Sequence, residues 1–90
     1  MEYKDTIEMM QSADYKERFK AEYWQTKIRY EKLKAFNTKI EAANIMEGMK
    51  TKLEEPEHDC PAFLLRDQQK TMGEYLHILE VRAVIEGVEL

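Results

Sequence analysis

Lys20, Tyr23, Trp24, Lys27, Arg29 and Tyr30 bring together, within a few turns of a predicted helix, the side chains that nucleotide recognition uses. An aromatic ring stacks on a base and an ammonium or guanidinium holds a phosphate, so the set describes a flat, anionic ligand. The same residue types also build helix–helix interfaces, in which Tyr and Trp are buried and Lys stems cover the rim. The sequence leaves both readings open, and in an oligomer one set of residues can serve both.

Other chemistry is thin. His58 and Cys60 stand two apart among Glu54, Glu55, Glu57 and Asp59. Structural zinc takes four Cys or His ligands at recognised spacings, and the other histidine is His77, so the expectation is a solvated acidic loop without metal. Cys60 has no His-Asp or His-Asn pattern to make it a nucleophile. The carboxylates are scattered among lysines, and Gly48, Gly73 and Gly87 are isolated rather than gathered into a phosphate-cradling loop. Neither an enzymatic activity nor a cofactor is expected.

The elements that position these residues read as helices. Asp14 to Met46 contains no proline or glycine and is rich in Lys, Glu, Ala and Leu. At 100° per residue, Tyr15, Phe19, Tyr23, Thr26, Tyr30, Leu33 and Ile40 form one apolar stripe. Ala21, Trp24, Ile28 and Ala35 lie opposite, joined by Ala42 and Met46. A long helix over 14–48 follows, stopped by Gly48 or continued by a turn through Met49–Leu53. Before it, Asp5 with Glu8 three residues later marks a short helix over 5–11, and Asp14 with Glu17 marks the second start.

The prolines at 56 and 61 bound a loop over 54–60. Pro61 suits the first position of a third helix over 61–87, with Cys60 as its cap. Its main stripe is Leu65, Gln68, Met72, Tyr75, Leu76, Leu79 and Ala83. Gly73 interrupts that stripe at a point of close helix contact, and Ile78, Val81, Ile85 and Val88 form a second stripe. Gly87 ends the helix and leaves a short tail. The predicted fold is all-α, a single domain over 1–90 with a short leading helix and a long antiparallel two-helix hairpin. Both long helices have two apolar faces, which predicts a homo-oligomeric bundle with Trp24, Ile28, Ile78, Val81 and Ile85 at its interface.

Size and charge agree with assembly. Ninety residues bury only about 60–65% of the surface that the unfolded chain exposes, so a lone core is marginal. One cysteine forms no intrachain disulfide. Net charge is −4, distributed as −3 over residues 1–15, +5 over 16–39 and −6 over 40–90. A basic helix in an acidic chain implies either charge complementarity within the assembly or an anion site confined to that helix. General nucleic-acid binding, which needs a long phosphate-tracking patch, is not expected. Charges every few positions near the N-terminus and the lack of a long apolar window predict a cytoplasmic protein without a membrane span.

DYKERFKAEYWQ (14–25), KIRYEKL (27–33) and CPAFLLRDQQKTMGEYLHILEVRAVIEG (60–87) are similar to segments of a family of small helical proteins from crAss-like and other gut phages and prophages. The chain departs from that family over 1–13 and about 44–59. The resemblance implies a phage accessory protein in a bacterial host cell and supplies no catalytic residues. Two functions are compatible with it: an oligomeric counter-defence sponge for a nucleotide-derived immune signal, contacted by Lys20, Tyr23, Trp24, Lys27, Arg29 and Tyr30, or a helical module that blocks a host or phage protein.

Overall fold

A computed structural model describes residues 1–49 and 53–90, and shows an all-helical chain with no strand among them. A 3-10 turn at Tyr3–Asp5 runs into α1 (Thr6–Met10), followed by α2 (Tyr15–Met46) and α3 (Ala62–Glu86). The molecule is elongated, 55 × 25 × 20 Å. The continuation considered for Met49–Leu53 includes residues 50–52, which lie outside the described residues.

Local chemistry sets the element ends. Asp14 is extended, and its carboxylate accepts from the Lys16 N–H at 3.0 Å, satisfying one of the donors a helix start leaves unpaired. Glu17 pairs with Lys20 at 3.2 Å. The Asp5–Glu8 start signal is displaced by one turn, because the Asp5 side chain accepts from the Glu2 N–H at 2.9 Å and gives no cap bond to α1. The start of α3 also shifts by one residue. Pro61, at φ −58° and ψ 143°, is still extended at its carbonyl end, so Pro61 and not Cys60 takes the cap position; its carbonyl accepts from Leu64 and Leu65.

Gly87 ends α3 at φ 71°, a conformation glycine adopts without a Cβ penalty. The Val88 N–H then returns to the Ala83 carbonyl at 2.8 Å, the bond of a Schellman ending. The turn sets Val88 apart from the second stripe to which periodicity assigned it, since Val88 is buried in the core. An apolar residue beyond the stop is thus folded back over the stripe that Ala83 belongs to.

The core is concentrated at one end of the helix pair. Phe19 and Tyr23 pack with Leu76, Leu79, Ala83 and Val88, and Leu79 is fully buried. Burying a leucine contributes about 1.5–3 kcal/mol. Tyr15 and Tyr75, assigned to the stripes by periodicity, remain exposed at the seam. Cross-helix bonds pair Tyr15 with Glu86, Tyr23 with Glu80, Tyr75 with Glu22, and Asn37 with Leu65 and Gln69.

Helix α1 uses a different face of α2. Thr6 is fully buried, Ala21 nearly so, and Gln25 donates to the Thr6 hydroxyl at 2.9 Å and to Met10 Sδ. Thr6 also closes its own turn by donating to the Tyr3 carbonyl at 2.7 Å. A short helix without caps is marginal alone, so docking on α2 supplies its stability.

Gly73 allows the close approach expected of it. A Cβ there would stand 3.3 Å from Tyr30 Cε1. Gly73→Val should therefore destabilise the fold by about 1–3 kcal/mol through overpacking, and adding Tyr30→Ala should recover part of that loss in denaturant titrations. Unchanged or increased stability in the single variant would refute the close contact.

Tyr23 makes stability sensitive to alkali. Burial first, and then its bond to Glu80, push the phenol from 10.0 to about 12. The unfolded chain loses this proton near pH 10 while the folded chain keeps it, so the contribution is intact below pH 10 and is lost between 10 and about 12. Tyr23→Phe should flatten the fall in denaturation midpoint over this interval. An equally steep fall would assign the alkaline loss to other groups.

Candidate functional site

The six residues singled out by type do not form one open surface in the chain. Tyr23 is buried, and its hydroxyl donates to Glu80 at 2.7 Å. Tyr30 is half-buried over Gly73. Trp24 is half-buried, edge-on to Tyr23 at 5.2 Å. Lys20 pairs with Glu17, and Lys27 pairs with Glu31 at 3.1 Å while lying 5.8 Å from the centre of the Tyr30 ring. Arg29 donates to the Gln25 carbonyl of its own helix at 3.4 Å. Fold and charge pairing thus engage most of the set, and the exposed positive charge beside it belongs to Arg29.

Near the core end, Tyr15, Arg82 and Glu86 form a closed network. The Tyr15 hydroxyl donates to Glu86 at 2.8 Å and accepts from Arg82 at 2.7 Å, and Arg82 also bonds Glu86 at 2.9 Å. The guanidinium lies 5.0 Å from the Phe19 ring centre. The Tyr15 bond first, then Arg82, hold the Glu86 carboxyl below its ordinary range. All three groups have partners in the chain, so this network closes the seam.

In the loop, His58 Nδ1 lies 2.6 Å from the Cys60 carbonyl, Nε2 lies 3.4 Å from Glu55, and the ring meets Phe36 edge-on. The Cys60 carbonyl first, then Glu55, raise the imidazole above its usual range. This arrangement fastens the loop to α2. Among the described residues, no group of three or more His, Cys, Asp or Glu is placed to hold a metal ion.

The far end of the helix pair is different. Asn37, Ile40, Glu41, Asn44 and Ile45 fall at the spacing of one helix face, and with Ala62 and Arg66 of α3 they line a groove of about 360 Å³. Its volume lies within the range of small-molecule sites. Asn37 is buried, and its amide donates to the Leu65 carbonyl at 3.1 Å and to Gln69 at 2.9 Å, yet its Oδ1 has no partner among the described residues. Such an acceptor costs about 1–3 kcal/mol. No carboxylate among the described residues lies within ion-pairing distance of Arg66.

Periodicity did not mark this groove. Asn37 falls beside the apolar stripe but is a polar residue, and Arg66 is one cation among many. The one available signal was a buried-side asparagine facing the small residue Ala62.

Of the residues assigned to an oligomer interface, Ile78, Val81 and Ile85 are exposed along α3, and Val84, which the stripe omitted, is 83% exposed. Trp24 and Ile28 are half-buried within the chain itself. The apolar surface left open therefore includes a stripe along α3, which Phe63 and Leu64 extend at the other end, besides Tyr3, Ile7 and Met10 around α1. Among the described residues, no helix is long and apolar enough to cross a membrane.

No curated protein and no solved structure matches the chain. The sequence model of one family, Sequestin, matches residues 13–85, which takes in α2, the loop and almost all of α3. A match of that extent shows that the chain belongs to the Sequestin family.

Proposed function

We propose that this protein is a non-enzymatic phage or prophage accessory protein that acts in the host cytoplasm as a homo-oligomeric sponge, holding a nucleotide-derived immune signal out of circulation. The observation that carries the reading is the family match, because the name Sequestin denotes sequestration and the match spans most of the chain. The charge of +5 over residues 16–39 supports an anionic ligand, since a positive helix raises the local concentration of anions. Binding without turnover needs only a concave site and complementary charge.

The decisive measurement is thermal melting against a panel of linear and cyclic nucleotides. A specific ligand at 100 times its dissociation constant should stabilise the fold by about 2.7 kcal/mol, a shift of several degrees at this size. Melting unaffected by every nucleotide would overturn the sponge reading.

The exposed stripe on α3 favours a second reading, a module that covers a host or phage protein. Both readings place an apolar partner on Ile78, Val81 and Ile85. In the sponge that partner is a second copy, in which the long helices form an antiparallel hairpin packed into a bundle. Ile85→Lys, at a position 77% exposed, should leave monomer stability within about 0.5 kcal/mol. Light scattering should then show the wild-type oligomer reduced to a 10.8 kDa species. Wild-type protein already at that mass would rule out the homo-oligomer and leave the protein-partner reading.

A further inference from the structure

The groove at the far end of the helix pair has the features of a ligand seat. Ile40, Glu41, Asn44 and Ile45 lie on one face of α2 and look across to Ala62 and Arg66. The groove stays open because Ala62 is small and the large side chains beside it, Phe63 and Leu64, are exposed to solvent instead of filling the space between the helices. Its walls supply apolar area from Ile40, Ile45 and Ala62. Its polar groups are of three kinds: the cation of Arg66, the carboxylate of Glu41, and the amides of Asn37 and Asn44.

We propose that this groove seats a nucleotide, with a phosphate on Arg66, ribose hydroxyls on Glu41, the base against Ile45 and Ala62, and an amino or hydroxyl donor on Asn37 Oδ1. The inference rests on the sponge reading and moves its binding residues away from the aromatic–basic set of α2.

Three observations support the assignment. Arg66 lacks a carboxylate partner among the described residues, and a planar guanidinium binds phosphate through paired donors. Asn37 Oδ1 is a buried acceptor without a donor among the described residues, and buried polar atoms in folded proteins nearly always have a hydrogen-bond partner. Its amide nitrogen is already committed to Leu65 and Gln69, which fixes the carbonyl as the free end. Asn37 itself lines the groove.

A purely anionic ligand does not suit the site, because Glu41 repels it. A purely apolar ligand leaves Arg66 and Asn37 unmatched. A nucleotide answers both demands, since it carries phosphate, hydroxyl and amino groups around a flat base.

The test titrates the full chain with AMP, ADP-ribose, NAD and cyclic di-AMP, followed by calorimetry and by the Asn37 side-chain amide resonance in nitrogen-edited NMR spectra. Arg66→Ala and Ile45→Trp, both at exposed positions, should each weaken binding at least tenfold, with helix content and melting temperature unchanged. Lys27→Ala should alter it less than threefold, and the Asn37 amide should shift on titration of wild-type protein. Binding that survives Arg66→Ala and Ile45→Trp but is lost in Lys27→Ala would overturn the groove and leave the sponge standing. If none of the four probes binds, the groove proposal falls, and the sponge falls with it only if the full nucleotide melting panel is also without effect.

Discussion

The packing of Phe19 and Tyr23 against Leu76, Leu79 and Ala83 fixes the register of the two long helices, and the remaining structure follows from that register. Once Leu79 is buried, Glu80 is placed opposite the Tyr23 hydroxyl and Glu86 opposite Tyr15. Phenol–carboxylate bonds are directional, so a slip of one turn would leave both tyrosines without acceptors. The partly buried Tyr23–Glu80 bond matters most here, because hydrogen bonds to charged groups weaken as water reaches them. Val88 then closes the end of the core through the turn at Gly87.

A helix pair of this kind buries one face of each member. Helix α2 gains a second covered face because α1 folds onto it through Thr6, Ala21 and Gln25. Among the described residues no equivalent element covers α3, and Val81, Val84 and Ile85 stay in water. An isolated exposed hydrophobe is ordinary, whereas a stripe of them along a rigid helix marks an interaction surface.

Much of this was legible in the sequence. The proline- and glycine-free run of α2 and the spacing of Phe19, Tyr23, Thr26 and Ile40 located a long helix and its buried side, because periodicity reports directly on which face meets a partner. Gly73 was readable as a close contact. Periodicity could not show which of two apolar faces the chain covers for itself, so Trp24 and Ile28 were assigned to an interface although they are half-buried in the monomer. Element ends were misplaced where two residues compete for the same donors. Asp5 serves Glu2 instead of α1, and the extended carbonyl end of Pro61 moves the cap along by one. Asn37 escaped notice because sequence position does not tell a buried polar side chain with one unmet bond from a solvated one.

Order and openness are divided between the two ends of the pair. At the core end large side chains interlock and polar groups are matched across the seam. At the far end the small Ala43 and Ala62 and the polar Asn37 stand around the buried Ile40, and the seam widens into a groove with an acceptor unmatched among the described residues. Concentrating stability in one half permits the other to be imperfectly packed, since the register is already held. The basic residues of α2 need not touch a ligand to contribute. Exposed charges act over about 8–10 Å at moderate ionic strength, enough to draw an anion toward the helix, while retention requires a concave surface with matched donors and acceptors. Attraction and retention make different demands on a surface, and a long helix can meet them at different points along its length.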